Sequence, residues 1–348
     1  MIKVLILAGL LYGLGALLNV SRAARLGLVA ILLAAVLGLQ VILPDGHGLR
    51  VATGGSAKAW AVLLGMALVV GLYAQGVTWL KRRAPQLTPE IPQATAQGPF
   101  SEAELERYAR HIVLHEIGGP GQQKLKAARV LIIGAGGLGS PVLLYLAAAG
   151  VGTLGVVDDD TVSLSNLQRQ VLHDVASIGK AKVDSARMRL SAINPHVLVR
   201  PHNMRLGADN AAGLFAGYDL VIDGSDNFAT RHIVNEAAVA AGKPLISGAI
   251  SQWEGQVALF HSAGGGPCYA CVFPEVPAAG LVPTCAEVGV MGALPGVIGA
   301  IMATEAIKWI AGAGTPLTGS MLVYDALYTE TRRLTVERRA GCRVCGGA

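Results

Sequence analysis

Charge is scarce in this 348-residue chain: Asp, Glu, Lys and Arg together make up 15% of it, against roughly a quarter in soluble domains. Hydrophobic residues reach 52%, so the apolar excess needs a place of its own. Long basic runs are missing as well. None exceeds Lys81-Arg82-Arg83, and the net charge is only +5 with a pI near 9.0. A nucleic-acid footprint needs Lys and Arg clustered on one face, so no nucleic-acid partner is expected. Cysteine is sparse, five residues in a chain too long to need disulfide staples. No set of histidines shows metal-ligand spacing: His111, His115, His173, His196, His202 and His232 are scattered and none is assigned a role.

The apolar excess lies before residue 84, in the runs Val4 to Val20, Leu26 to Leu43 and Ala59 to Leu80. Each is about as long as a helix must be to cross roughly 30 Å of hydrocarbon, and none holds an internal charge. The first run, with Lys3 ahead of it, also has the form of a secretory signal. Two further runs follow, however, and no small-residue cleavage site precedes mature-looking sequence, so three membrane helices are the expectation. Arg22 and Arg25 lie between the first two runs and Lys81, Arg82 and Arg83 follow the third. The positive-inside bias then sets the N-terminus outside and everything after Leu80 in the cytoplasm, with Lys3 opposing. This makes an integral multi-pass protein with a cytoplasmic catalytic part. Residues 84–99, with Pro85, Pro89, Pro92 and Pro99, read as a semi-rigid linker, and a soluble domain is expected over 100–348.

That domain opens on Ser101-Glu102-Ala103-Glu104, a capping-box pattern predicting a helix to about Glu116. The β-branched run Arg129 to Ile133 predicts a strand. Gly134-Ala135-Gly136-Gly137-Leu138-Gly139 follows at once, with an Ala/Leu-rich helix after it. In a strand, loop, helix context the glycines Gly134, Gly136, Gly137 and Gly139 let backbone N–H groups approach a phosphate at a helix N-terminus. The next predicted strand, Thr153 to Val157, ends in Asp158-Asp159-Asp160, about 24 residues beyond Gly134, where Asp158 or Asp160 suits a ribose hydroxyl. This much fits NAD as well as ATP.

Further marks separate the two. Arg107-Tyr108-Ala109-Arg110-His111 precedes the loop. After it come Ser165-Asn166-Leu167-Gln168-Arg169-Gln170, Gly179-Lys180-Ala181-Lys182, Asp223-Gly224-Ser225-Asp226-Asn227 and paired cysteines. From Phe100 to Gly347 this set closely resembles the MoeB/ThiF/HesA adenylyltransferases, relatives of the ubiquitin-activating enzymes. The resemblance implies ATP-dependent adenylylation of the C-terminal Gly-Gly carboxylate of a small ubiquitin-like carrier protein, with pyrophosphate released. It further implies that Asp158 holds the ribose, Asn166, Arg169 and Lys182 meet the phosphates, and Asp226 organises Mg²⁺. A homodimer would supply Arg110 from the neighbouring subunit. The chemistry asks for such groups independently, since carboxylate attack on a phosphate brings two anions together.

Cys268-x-x-Cys271 and Cys342-x-x-Cys345, about seventy residues apart, have zinc half-site spacing. Four thiolates around Zn²⁺ leave no open position, so the site would be structural. A redox dithiol is the alternative, disfavoured because neither pair is expected to open a helix after a strand as a thioredoxin-like motif does. Cys285 is left over. A lone cysteine is ordinarily a small buried residue, whereas its position resembles the family's crossover-loop cysteine, which implies a covalent link to the carrier. No sulfurtransferase domain follows Cys345, so a separate sulfur donor is expected.

The expected fold is α/β, a Rossmann-like, mainly parallel sheet between helices. Antiparallel strands around Gln256 to Phe260 and Met321 to Tyr324 extend it and offer a face for the carrier. The apolar helix Val288 to Ile310 is expected in the core or a dimer interface, because Glu305 and Lys308 argue against a fourth span. Two other readings stay open: a membrane-tethered, nucleotide-dependent recruitment module with little turnover, and activation for ubiquitin-like conjugation instead of sulfur transfer.

Overall fold

The computed structural model of the protein describes residues 1–18, 20–54, 56–83, 99–275 and 289–346. The chain divides into two compact units, Met1–Gln93 and Ala94–Ala348. Most of the expected linker and the segment holding Cys285 lie outside the described residues.

The first unit is helical: α1 (Ile2–Leu17), α2 (Arg22–Ile42), α3 (Gly48–Ala52) and α4 (Ala57–Arg83). The boundaries differ from the apolar runs. Helix α1 has 16 residues, about 24 Å at 1.5 Å per residue, and stops short of Val20. Helix α2 starts at Arg22, where the Ser21 hydroxyl accepts the Ala24 N–H at 3.4 Å. Arg22 and Arg25 therefore sit in its first turns, not between helices. Lys81 to Arg83 extend α4. Val4, Val36 and Trp60 form a small core, with the Trp60 indole N–H donating to the Thr53 carbonyl at 3.1 Å. Elsewhere aliphatic side chains such as Ile6, Leu10, Ile31 and Val70 point outward. Ala24–Ile42, with a mean hydropathy of 2.3, is one of two helices among the described residues long and apolar enough to cross a membrane.

The second unit is built on one eight-stranded sheet. Its strands are β1 (Arg129–Ile133), β2 (Thr153–Val157), β3 (Leu198–His202), β4 (Leu220–Asp223), β5 (Leu245–Ile250), β6 (Glu254–Phe260), β7 (Ser320–Asp325) and β8 (Glu330–Thr335). They lie in the order β3-β2-β1-β4-β5-β6-β7-β8. The first five run parallel and the last three antiparallel, which is the expected parallel core with its antiparallel extension. Strand β1 is central and buried on both faces, hence its unbroken Val-Leu-Ile-Ile run. Val130 and Ile132 pack on one side against α7 (Gly139–Ala149), α8 (Lys182–Ile193) and α12 (Leu294–Ala311). Leu131 and Ile133 pack on the other against α9 (Ala208–Phe215) and α10 (Phe228–Ala240).

The capping box forms as the sequence predicts: Ser101 and Glu104 exchange backbone-to-side-chain bonds at 2.9 and 3.3 Å, opening α5 (Glu102–Ile112). Helix α5 ends at Ile112, not near Glu116, and a second helix α6 (Gly118–Ala127), unexpected from its three glycines, follows. Glu104 is nearly buried, yet Lys126 Nζ at 2.7 Å and the bonds from Ser101 outweigh burial and hold its carboxyl below the usual range. Helix α12 begins at Leu294 instead of Val288 and is a core helix. Its Glu305 is buried, accepts the Leu317 N–H at 2.7 Å, and pairs with Lys308 at 2.6 Å. An apolar 18-residue helix can thus pass a membrane length test while its acid tethers a loop inside a soluble core.

Candidate active site

The strand order reverses beside β1: β2 and β3 lie to one side of it, β4 and β5 to the other. A crevice opens at such a point beyond the carboxyl ends of the strands, and ligands bind there. The loop after β1 meets the loop after β4 at that point, the Gly224 N–H donating to the Ile133 carbonyl at 2.9 Å. Two glycines make the turn possible. Gly134 has φ of +92°, and a Cβ on Gly139 would run into the Gly134 carbonyl oxygen. Gly136 and Gly137 are partly exposed; a Cβ on Gly136 would meet Gln170 at an ordinary contact distance, whereas one on Gly137 would press on Pro295 at 3.2 Å with Arg169 just beyond. Helix α7 starts at Gly139, with the Ser140 N–H folded back on the Gly136 carbonyl at 2.9 Å and no N–H on Pro141.

Asp158, at the end of β2, braces the loop. Its Oδ2 accepts the Ala135 N–H at 2.8 Å and its Oδ1 accepts the Asp160 N–H at 2.9 Å. Each carboxylate oxygen keeps a second lone pair for a ribose hydroxyl. Lys182, at the start of α8, is buried and reaches Asp160 Oδ2 at 2.8 Å. Asn166 ends a 3₁₀ turn whose carbonyl accepts the N–H groups of Arg169 and Gln170 at 3.1 and 2.9 Å. The Arg169 guanidinium makes only a long 3.4 Å bond to the Ser165 carbonyl. Asp226 stands exposed after β4, next to Asn227, which caps α10 by accepting the Thr230 N–H at 2.8 Å. The fold thus brings Gly134 to Gly139, Asp158, Asp160, Lys182 and Asp226 to one edge. Arg110 stands apart. It lines a cavity of about 470 Å³ between α5, α7 and α12, together with Arg107, His111 and Tyr145.

Three residues given no role on sequence grounds support this edge. His173 is buried, with Nε2 against the Ala135 carbonyl and Nδ1 against Ser185 Oγ, both at 2.9 Å. Burial pushes its pKa below the ordinary value, the Ala135 contact opposing. Asp223 ends β4 fully buried; its Oδ1 accepts the Ser225 N–H at 2.9 Å, while its Oδ2 has no partner. Arg231 is buried and donates to the carbonyls of Ser225 and Gly248 and to Ser247 Oγ. Asp223 opens the Asp223-to-Asn227 block already quoted from the sequence, whereas for His173 and Arg231 the only sequence signal was polarity within helical or loop segments, which does not tell support from solvation.

Far along the chain the four paired cysteines converge. Their sulfurs lie 3.8 Å (Cys268 to Cys271), 3.7 Å (Cys268 to Cys342) and 3.5 Å (Cys271 to Cys345) apart. Those spacings are too long for disulfides. They match the edge of a tetrahedron, about 3.8 Å for metal–sulfur bonds near 2.3 Å. Burial pushes the Cys268 thiol up to about 12 and raises the Cys271 thiol as well, so a cation would be needed to hold these two as thiolates. Cys268 does open the short α11 (Tyr269–Val272), but behind a 3₁₀ turn and a loop and not directly after a strand, so the thioredoxin-like arrangement is absent there. The four-sulfur geometry disfavours a redox dithiol as well.

A glycine-loop crevice flanked by an acid and a buried lysine, on a parallel sheet with an antiparallel extension, is the arrangement of a nucleotide-binding protein. The chain belongs to the ThiF family, whose model matches residues 108–344, and is an adenylyltransferase. It is 52% identical over 251 residues to the "sulfur carrier protein adenylyltransferase" of Thermus thermophilus, covering 71% of this chain and 93% of that one. It is 46% identical over 267 residues to "adenylyltransferase and sulfurtransferase MOCS3" of Sus scrofa, covering 76% of this chain but 58% of the relative. The fold is also that of E. coli MccB, solved with ATP (TM-score 0.61, 24% identity, 69% of this chain and 74% of that one).

Proposed function

We propose that the protein uses ATP to adenylylate the C-terminal carboxylate of a small ubiquitin-like sulfur-carrier protein ending in Gly-Gly, releasing pyrophosphate. The observation that carries this reading is the convergence of the glycine loop, Asp158 and the buried Lys182 at one sheet edge, in a chain with relatives of that activity. Backbone N–H groups of Gly136 to Gly139 cradle the phosphates, those of Gly134 and Ala135 being held by the Val157 carbonyl and Asp158, and Asp158 accepts from the ribose. Lys182, Asn166 and Arg169 lower the repulsion that an incoming carboxylate meets at the α-phosphorus. The long Arg169 bond leaves that guanidinium able to swing to a phosphate. Asp226, exposed at the same edge, holds Mg²⁺, which when bound offsets charge on the phosphate oxygens. Asp226→Ala should abolish carrier-driven exchange of pyrophosphate into ATP; exchange at the wild-type rate would remove Asp226 from the mechanism.

Four further parts belong to the reading. The Cys268, Cys271, Cys342 and Cys345 centre holds structural Zn²⁺, because four sulfurs fill a tetrahedron. A homodimer carries Arg110 of one copy to the glycine loop of the other, which accounts for an arginine standing beside an open cavity instead of at its own crevice. Cys285 forms the covalent link to the carrier, with sulfur delivered by a separate donor. Residues 1–83 anchor the chain in a membrane with the catalytic unit on the cytoplasmic side, supported by the outward-facing aliphatic side chains of α1, α2 and α4. Carbonate washing of cell membranes should leave the chain in the pellet; release into the supernatant would refute the anchor.

A further inference from the structure

Helix α10 connects the two sites. Asn227, Arg231 and Asn235 recur every four residues, so they share one face of it. At one end, Asn227 caps the helix directly after Asp226. One turn on, the buried Arg231 clamps the Ser225 carbonyl, on the other side of Asp226, to the β5 groups Ser247 Oγ (3.3 Å) and Gly248 O (2.8 Å). Asp226 therefore stands between two residues that α10 holds.

At the other end, Asn235 is 1% exposed and spends its whole amide on the cysteine centre. Its Oδ1 accepts the Tyr269 N–H at 2.9 Å and its Nδ2 donates to Cys268 Sγ at 3.7 Å. The Tyr269 ring is locked beside it, edge-on to His232 of α10 at 5.4 Å and to Phe260 at 5.9 Å. The knuckle carrying Cys268 thus cannot move without moving α10. From Asn235 to Asn227 is eight residues, about 12 Å of rigid helix.

The structure assigns to Asn235 a positioning role: it ties the four-cysteine centre to the helix that orients Asp226, so that metal occupancy and nucleotide binding are linked. An amide N–H bonded to sulfur is stronger when the sulfur carries charge, as it does on a metal. Loading the centre therefore tightens the Asn235 bond and fixes α10, and nucleotide held at Asp226 fixes α10 from the opposite end. Linkage is reciprocal, so each ligand must favour the other by the same factor. The inference rests on the reading that ATP binds with Asp226 at the glycine-loop crevice.

The test uses the full-length protein in detergent, loaded with zinc, with a chromogenic zinc chelator in excess and ATP binding measured separately by equilibrium dialysis. In the wild type, saturating magnesium-ATP should slow zinc release about tenfold, within the usual span of coupling between sites. Stripping the zinc should weaken ATP binding by a similar factor. In Asn235→Ala, zinc should leave about 10–100-fold faster, the usual cost of losing a hydrogen bond to a metal ligand, and ATP should no longer slow it. Asn235→Ser serves as the milder variant should alanine prevent folding. ATP that binds the wild type without changing zinc release overturns this inference alone. So does an Asn235→Ala protein that keeps the wild-type slowing. Failure of the wild type to bind ATP overturns both the inference and the nucleotide reading beneath it.

Discussion

His173→Leu removes the support beneath the glycine loop. His173 is 7% exposed and contacts two groups, the Ala135 carbonyl and Ser185 Oγ, at 2.9 Å each. A carbonyl can only accept, so Nε2 carries the proton and Nδ1 accepts from the serine hydroxyl. Leucine has a comparable volume but strands both partners. A buried polar group left unpaired costs about 1–3 kcal/mol, so the substitution should cost about 2–5 kcal/mol. At about 2–4 °C per kcal/mol for a unit of this size, the melting temperature should fall by roughly 4–20 °C. Ala135 is also the residue whose N–H reaches Asp158, so ATP affinity should drop about tenfold or more, as misplacement near a reacting group does. Acid titration gives a second reading. Burial lowers the folded-state pKa of His173 below its ordinary 6.5. The unfolded chain therefore binds more protons between those two values. Stability from this residue is complete above about pH 6.5 and is lost as pH falls through the depressed folded value. Melting scans from pH 7.5 to 5.5, a window chosen about that midpoint, should show a steeper decline in wild type than in His173→Leu. Parallel declines, or a leucine variant that melts and binds ATP as the wild type does, would refute the role.

Gly139→Ala should eliminate ATP binding while leaving most of the sheet intact, because its Cβ collides with the Gly134 carbonyl and backbone must move at the loop itself; equilibrium dialysis reads it, and wild-type affinity would contradict the described turn. Glu305→Ala should destabilise the catalytic unit by about 1–3 kcal/mol, the usual penalty for a buried polar group left unpaired, because it strands the Leu317 N–H while the partly exposed Lys308 can turn to solvent. Glu305→Gln, which keeps an acceptor for Leu317, should cost clearly less, and equal melting temperatures for the two variants would count against the tether.

Local patterns explain why much of this was legible early. The capping box needs only Ser101 and Glu104, three residues apart. The buried strand β1 and the glycine loop are contiguous, and C-x-x-C spacing is enforced by the geometry of one metal ligand pair. Helix ends were less legible. Nothing in the residues between Ile112 and Glu116 forbids helix, yet the chain turns at Val113 to start α6, whose Gln122 and Leu125 bury against the main unit.

Residue chemistry set by the chain alone was therefore the class of enzyme: a glycine loop, an acid one strand later, a lysine, an aspartate after β4 and four paired thiols, each recognisable within a few neighbours. Only the tertiary structure decided which of the remaining polar residues serve that chemistry. His173 meets Ala135 across 38 residues of sequence, and Asn235 meets Cys268 across 33. Such bonds leave no periodicity behind them, because their partners are brought together by the sheet order and helix packing rather than by spacing. Two apolar helices part company in the same way. Ala24–Ile42 turns outward and Leu294–Ala311 lies half buried in a core; Glu305 and Lys308 mark the second in the sequence, but only the packing shows that Glu305 holds the Leu317 N–H.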